Sequence, residues 1–239
     1  MSDDEDEDAD PVVSPDGERE AFVRNHDLYV RPADSADAKA RALSYDGAPG
    51  DAYTTASIAW SPESDKIAVY RVDEAPTRMI NYVVSSPDDQ LQPTAHSCPY
   101  PKPGDELDGK QPMLFDVDSG ERTVIDDSLF PDAYSMSDLE WWDDGRAFTF
   151  EYNQRGHQVF RVIEVDADTG AARPLIDEEP GTFFDYSGSK FRHDVGDGEE
   201  IIWMSERDGW NHLYLYDGRT GEVKHQITEG EWVVRGVDH

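Results

Sequence analysis

Three glycine-containing turns recur along this chain at a nearly constant interval. "DSG" ends at Gly120, "DTG" at Gly170 and "RTG" at Gly221, which places the glycines 50 and 51 residues apart. Each turn separates an alternating or apolar segment from a shorter polar–apolar one, as with "HLYLY" and "EVKHQI" around the third. Glycine readily adopts the positive φ that such hairpin turns need. The spacing therefore limits the chain to folds that repeat one strand–turn–strand unit.

A second kind of turn occurs on the other side of each unit. "SPDGEREAFV" at 14–23, "WSPESDKIAVY" at 60–70 and "WWDDGRAFTFEY" at 141–152 each join a Ser-Pro-Asp-Gly-like turn to an alternating strand. Proline presets φ at the second turn position, and Asp or Gly closes the turn. These segments are predicted to begin equivalent strands.

The spacing of these turns reveals one long insertion. Ser14 and Ser61 are 47 residues apart, whereas the distance from Ser61 to Asp143 is much longer. We assign the excess to the Pro-rich segment between Ser85 and Pro112, and expect it to project from the repeated sheets.

A unit of about 50 residues with four short strands is typical of a β-propeller blade. Helical periodicity is nearly absent, and the recurring Trp and Tyr side chains suit packing between neighbouring sheets. We therefore predict an all-β chain. Residues 11–239 should form a partial propeller of four to five four-stranded blades, with the three turn glycines at equivalent places in successive sheets.

The charge of the chain argues against nucleic-acid binding. A net charge of -32 and a pI near 4.2 repel phosphate backbones, so no nucleic-acid partner is expected. The carboxylates are spread through every segment, which favours adaptation to high salt or solubility over a single cation site. Residues 1–10 are predicted to be an acidic disordered lead. They lack the features of a signal peptide, and the compartment is left open.

Sequence motifs for catalysis, metals and cofactors are absent. No Gly-x-Ser-x-Gly elbow, phosphate-binding glycine loop, His-Glu-x-x-His or EF-hand loop occurs, and the seven histidines are dispersed. The single cysteine, Cys98, excludes an internal disulfide. No apolar run reaches about 18 residues, so no membrane span is predicted. We expect no catalytic residue, metal ligand or cofactor in this chain.

One hairpin concentrates candidate contact residues. "EYNQRGHQVFRVIEVD" at 151–166 places Arg155 and His157 at its turn. This turn is either a polar hairpin tip or a rim that meets a partner domain or a peptide, since loops on a rigid scaffold often carry such contacts.

Several segments together resemble a known family. They are "AWSPESDKIAVYRVDE", "YPKPGD", "LEWWDDGRAFTFEYNQRGHQVFRVIEVDADTG" and "MSERDGWNHLYLYDGRTGEVKHQITEGEWVVRGV". In these the chain resembles the N-terminal β-propeller region of dipeptidyl peptidase IV-like serine peptidases, of the prolyl oligopeptidase clan. The likeness runs from about residue 14 to 237. It implies an eight-bladed propeller in the complete protein, followed by an α/β-hydrolase domain that carries Ser, Asp and His.

The resemblance also implies roles for particular positions. The propeller of this family shields the active site, admits only peptides and oligomerises. An aromatic residue and an arginine line its outer subsites, and Phe191 and Arg192 fall near that position. Aminodipeptidases of the family hold the substrate's amino terminus with a Glu-Glu pair before the "WSP" turn. Here the segment 44–60 has no Glu, and its acids are Asp46 and Asp51, which puts that mode in doubt.

Two functions follow from these observations. The first is a non-catalytic propeller that gates and selects peptides for a downstream hydrolase domain of the same protein, with self-association possible. The alternative is a non-catalytic propeller that serves as a protein-interaction scaffold. A Gly-x-Ser-x-Gly motif followed by Asp and His in the downstream reading frame would favour the first.

Overall fold

The computed structural model describes residues 10–34 and 39–238. It is all-β, with 45% strand and 3% helix, as the sequence predicted. In the described ranges the strands form four antiparallel sheets of four or five strands, which follow one another along the chain, and one separate hairpin. Apart from Asp10, the predicted acidic lead lies outside the described residues. Neither short helix in these ranges approaches the length and apolarity needed to span a bilayer.

The strands follow chain order within each sheet. The first sheet contains β1 (Val12–Val13), β2 (Arg19–Arg24), β3 (Asp27–Pro32) and β4 (Arg41–Ala42). The next segment contains β5 (Asp51–Tyr53), the 3-10 helix η1 (Thr55–Ser57), β6 (Ala59–Trp60), β7 (Lys66–Asp73), β8 (Met79–Val84), β9 (Thr94–Pro99), β10 (Gly109–Asp116) and β11 (Arg122–Val124). Of these, β8 and β9 pair with each other, and the other strands form the second sheet.

The last two sheets repeat the same order. After the 3-10 helix η2 (Asp127–Leu129), the third sheet contains β12 (Ala133–Met136), β13 (Glu140–Trp141), β14 (Ala147–Gln154), β15 (Phe160–Asp166) and β16 (Ala172–Glu178). The fourth contains β17 (Arg192–Val195), β18 (Glu200–Ser205), β19 (His212–Asp217) and β20 (Val223–Gln226).

The three turn glycines occupy equivalent places, as predicted. Gly120, Gly170 and Gly221 each lie between the last two strands of a sheet, with φ of +76°, +69° and +77°. Each glycine N–H donates to the carbonyl oxygen of the Asp four residues earlier, at 2.9, 2.9 and 2.8 Å. The constant interval in the sequence therefore corresponds to one turn geometry repeated in three sheets.

Alternation along the strands lets neighbouring sheets pack face to face. In β7, Ile67 and Val69 point into a core shared with the first sheet, whereas Ala68 and Tyr70 point into a core shared with the third. A further core, which includes Val162 and residues of β18 and β19, lies between the third and fourth sheets. The second and third sheets are thus buried on both faces, as expected for successive propeller blades. The number of blades in a complete ring stays a prediction.

Tryptophan side chains also join each pair of neighbouring sheets. The indole N–H of Trp60 donates to a carbonyl oxygen of β1 at 2.9 Å, and that of Trp141 to a carbonyl oxygen of β6 at 3.0 Å. Trp203 donates to a carboxylate oxygen of Glu178 at 3.1 Å across the last interface. These rings fill the spaces between sheets and satisfy their polar atoms at the same time.

The predicted insertion projects as a two-stranded arm, but its boundaries differ from the prediction. The arm, β8–β9, pairs with no other sheet in the described part of the chain. It begins at Met79, before Ser85, and the second sheet resumes at Gly109, before Pro112. The prediction was wrong here because "MINYVV" of β8 has ordinary strand composition, so the sequence does not mark where the sheet ends. Leu91, at the turn of the arm, is 97% exposed.

Candidate functional site

Cavities lie between the sheets at the edge where β7, β14 and β18 end. One of about 450 Å³ lies between the second and third sheets, and we call it the Arg71 cavity. Another of about 700 Å³ lies between the third and fourth sheets, and we call it the Asn211 cavity. A cavity of about 440 Å³ is lined by Glu151 and Arg192 and is called the Arg192 cavity. The predicted contact residues are distributed among these places and a nearby surface cluster.

An ion network forms one wall of the Arg71 cavity. The guanidinium of Arg71 contacts Asp46 at 2.8 Å and Asp51 at 2.6 Å. Arg122 contacts the same Asp46 carboxylate at 2.6 Å, and the Tyr53 hydroxyl donates to it at 3.1 Å. Both acids of the segment 44–60 therefore already hold arginines. An amino group of a ligand would therefore share these carboxylates with Arg71 and Arg122.

Burial and the charges of this network together shift the pKa values of Asp46 and Tyr53. Burial alone would raise the pKa of Asp46, but the hydrogen bond and positive charge of Arg122 outweigh it, so the pKa lies below its ordinary value. Burial raises the pKa of Tyr53 to about 12. The network is thus ionised at Asp46 and neutral at Tyr53 at physiological pH.

Arg155, a predicted contact residue, lines the same cavity from the tip of the β14–β15 hairpin. Its backbone N–H donates to the carbonyl oxygen of Asp132 at 2.9 Å. Its guanidinium donates to the carbonyl oxygen of Asp105 at 2.5 Å, in the segment that leads from the arm back to β10. Arg155 therefore anchors the end of the insertion against the third sheet.

His157, the second predicted residue of this hairpin, belongs to a different cluster. Its ring stacks on Tyr186 with a centroid distance of 4.5 Å and meets Tyr134 and Phe183 edge-on at 4.6 and 5.2 Å. The ring Nδ1 lies 3.1 Å from the side-chain oxygen of Asn153. Sequence reasoning missed the three aromatic partners, because they are separated from His157 by more than 20 residues and share no pattern with it.

Phe191 and Arg192 line the Arg192 cavity, away from Arg155 and His157. The Arg192 side chain is 11% exposed and pairs with Asp194 at 2.9 Å. It also donates to the Thr149 hydroxyl at 3.2 Å, which joins the fourth sheet to the third. The four predicted residues thus fall in three places rather than one, and their role in substrate binding stays a prediction.

The part of the chain that the structure describes contains no arrangement of side chains that matches a metal site. Within residues 10–34 and 39–238, no group of three or more His, Cys, Asp or Glu side chains is placed to hold a metal ion. Cys98 is a free thiol in β9. The arrangement at the sheet edges is suited to binding, since it offers cavities with fixed charged walls.

Comparisons with known proteins agree with this architecture. The sequence model described as "Dipeptidyl peptidase IV (DPP IV) N-terminal region" matches residues 1–239. Dipeptidyl peptidase 4 of Arthroderma otae is 24% identical over 246 residues, which cover 91% of this chain and 30% of that protein. A probable dipeptidyl-aminopeptidase B of Pyrenophora tritici-repentis is 22% identical over 258 residues, covering 93% and 29%.

A solved structure shows the same fold. The crystal structure of Porphyromonas gingivalis dipeptidyl peptidase 4 superposes with a TM-score of 0.67 at 20% identity, over 94% of this chain and 33% of that one. The chain spans about a third of the length of the relatives it matches. It belongs to the family of dipeptidyl peptidase IV N-terminal regions.

Proposed function

We propose that this chain is the non-catalytic propeller region of a dipeptidyl peptidase IV-like serine peptidase. It gates and selects peptide substrates for a hydrolase domain elsewhere in the same protein. The observation that carries this proposal is the continuous stack, in which sheets of one strand order bury both faces of the second and third sheets. A stack of this kind makes a wall of fixed shape, which can exclude large substrates by size.

Ion pairs at each sheet interface support a fixed wall. In each case a residue at the start of a long strand, or in the turn before it, contacts the outer turn of the next sheet. The pairs, with their N–O distances, are Arg19–Asp118 at 2.9 Å, Lys66–Asp168 at 3.7 Å and Asp144–Arg219 at 3.2 Å. Exposed pairs like these add little stability one by one. Because they recur at each interface, they favour the same register between sheets in a chain with 21 basic and 53 acidic residues.

The selectivity of such a gate is proposed to lie outside the segment 44–60. Asp46 and Asp51 are held by Arg71 and Arg122, so a substrate amino terminus would have to compete with these arginines for the carboxylates of this segment. We expect Asp51→Asn to lower the thermal stability of the whole protein without changing its KM ratio for free and N-acetylated peptides.

Self-association through the arm is a further part of the proposal. Met79 is 51% exposed, Tyr82 49% and Val83 62%, and the hairpin has outer strand edges available for pairing. In sedimentation of the whole protein, Tyr82→Lys with Val83→Lys should shift any dimer towards monomer. A double substitution at exposed polar positions of the same arm, Gln90→Lys with Gln92→Lys, should leave the dimer unchanged.

Size selection tests the gating proposal directly. The gene product that contains these residues together with all that follows them is assayed on a prolyl dipeptide chromogenic substrate, on peptides of increasing length and on an unfolded protein. An ungated serine protease, assayed on the same substrates, reports their intrinsic susceptibility. Gating predicts that kcat/KM falls with substrate size relative to that reference. Equal relative cleavage of peptides and protein would contradict gating, and binding of a protein partner without hydrolysis would favour the scaffold alternative.

A further inference from the structure

The lining of the Asn211 cavity carries mostly negative charge. Five of its fifteen lining residues are Asp or Glu, and Arg207 is the one basic residue among them. Phe184 and Met204 contribute apolar surface beside these charges. Its volume of about 700 Å³ is sufficient for a small organic ligand.

Arg207, the basic residue of this cavity, already has partners within the chain. A guanidinium nitrogen of Arg207 contacts the Glu178 carboxylate at 2.7 Å and also donates to the Tyr216 hydroxyl. The same guanidinium lies over the Tyr214 ring at 4.8 Å from its centroid. Arg207 and Trp203 together neutralise and cover Glu178. Neither Arg207 nor Glu178 is therefore available to a ligand without disrupting the sheet interface.

The other carboxylates of the cavity differ in whether a cationic side chain pairs with them. Arg161 pairs with Asp177 at 2.8 Å and with Glu179 at 2.7 Å. By contrast, no cation within the described ranges lies at ion-pair distance from Glu206, at the tip of the β18–β19 hairpin. Asp185 has no cation at that distance either, but its carboxylate accepts hydrogen bonds from hydroxyl and backbone donors of its own loop. Among the described residues the cavity thus keeps two carboxylates without a counterion, and only that of Glu206 also lacks a hydrogen-bond donor.

Asn211 supplies an independent observation that points to a ligand. The residue is 2% exposed, and its Nδ2 donates to the carbonyl oxygen of Val234 at 3.0 Å. That acceptor fixes the orientation of the amide, since an oxygen in place of Nδ2 would face the carbonyl oxygen. The other amide atom, Oδ1, is buried and has no hydrogen-bond partner among the described residues. Leaving a buried acceptor unsatisfied costs about 1–3 kcal/mol.

We propose that the Asn211 cavity binds a primary ammonium group. Asn211 Oδ1 and the Glu206 carboxylate accept its N–H donors, and Phe184 and Met204 cover the carbon chain that carries it. The neighbouring carboxylates are acceptors and cannot satisfy Oδ1, whereas an ammonium brings three donors and a positive charge in a compact group. This inference concerns binding alone and does not depend on a hydrolase domain. The ammonium belongs either to a lysine-type side chain or to the amino terminus of a peptide.

Titration calorimetry of the 239-residue chain with matched probes tests the proposal. Nα-acetyl-lysine methylamide represents the side chain, alanyl-proline amide represents the amino terminus, and Nα-acetyl-norleucine methylamide is the neutral control. Molar KCl screens the general field of the chain to about 3 Å. At least one ammonium probe should bind at a single site and at least tenfold more tightly than the neutral control. The probe that binds identifies the source of the ammonium.

Two further readouts distinguish the cavity from general charge attraction. Glu206→Gln should weaken ammonium binding at least fivefold. Glu121→Gln, the same change at an exposed turn between β10 and β11, should leave the affinity unaltered. In ¹⁵N spectra of the unmodified chain, the Asn211 side-chain amide signals should shift with the ammonium probe and not with the neutral one. Equal effects of the two substitutions, equal binding of the neutral control or the absence of saturable binding would overturn the proposal.

Discussion

Glu178 accepts the indole N–H of Trp203 at 3.1 Å across the interface between the third and fourth sheets. The Trp203 side chain is fully buried, and the Glu178 side chain is 9% exposed. A carboxylate that leaves water is stable only when its oxygens are paired. Here the Trp203 indole and the Arg207 guanidinium, the latter at 2.7 Å, both donate to one oxygen of Glu178, Oε1, from the neighbouring sheet. The interface therefore contains a buried carboxylate, paired from the neighbouring sheet, beside the apolar side chains of its core.

Removing this carboxylate should destabilise the chain. Glu178→Ala leaves the indole N–H and the Arg207 guanidinium without their acceptor, so we expect the free energy of unfolding to fall by about 2–3 kcal/mol. Glu179→Ala is the matched control, because Glu179 is 58% exposed and its loss should cost less than about 1 kcal/mol. Urea denaturation measures both values. Similar losses for the two variants would show that Glu178 has no special role at the interface.

The turn glycines give a second comparison within the repeat. Alanine at Gly120 or Gly221 would be strained by the same positive φ, at a cost of about 1 kcal/mol. A Cβ at Gly221 would also lie 2.7 Å from the carbonyl oxygen of Leu175, whereas at Gly120 the nearest atom, a nitrogen of Arg41, is 3.7 Å away. We expect Gly221→Ala to cost at least about 1 kcal/mol more than Gly120→Ala. Equal melting temperatures of the two variants would contradict the close sheet contact.

Acid should weaken the repeated turns. The hydroxyl and backbone N–H of Thr169 donate to the Asp166 carboxylate, and the hydroxyl contributes most to holding its pKa below the ordinary value. A carboxyl with a lowered folded-state pKa stabilises the fold above its unfolded-state value of 3.8, and this contribution is lost as pH falls through the folded-state pKa.

The measurement is the difference in unfolding free energy between the unmodified chain and Asp166→Asn. It should be constant from neutral pH down to about pH 5 and shrink below 3.8, the ordinary value for Asp. Asp89→Asn, on the exposed turn of the arm, reports the general effect of removing one negative charge. A difference that grows on acidification, or that matches the Asp89 variant at every pH, would be inconsistent with the turn geometry.

Salt should stabilise the chain strongly. At a net charge of -32, self-repulsion opposes compaction, and molar salt shortens its range to about 3 Å. The melting temperature should therefore rise steeply between low and molar KCl. A flat or falling curve would count against adaptation to high salt.

The features that the sequence predicted are those fixed by local chemistry. The turns at Gly120, Gly170 and Gly221 follow from short Asp–Gly patterns, because the residues that make each turn are adjacent in the chain. The burial of alternate residues of β7 follows from the period of a strand. The start of the arm at Met79 was missed, since a strand that leaves its sheet has the same composition as one that stays.

The features that the sequence could not predict depend on distant partners. The stacking of His157 on Tyr186 joins two loops, and the pairing of Asp46 with Arg122 joins residues 76 positions apart. The unpaired oxygen of Asn211 exists only because Val234 holds the other amide atom. Such contacts arise from the packing of sheets, and no local pattern marks them.

The proposed function places catalysis outside these 239 residues, and labelling with a serine-reactive fluorophosphonate shows which residues contain the reactive serine. The 239-residue chain and the gene product that contains it with all downstream residues are treated in parallel. Hydrolysis of prolyl and alanyl dipeptide chromogenic substrates is measured on the same samples. We expect labelling and hydrolysis for the longer product and neither for the chain alone. Labelling of the chain itself with inhibitor-sensitive turnover, or a longer product that is neither labelled nor active, would contradict it.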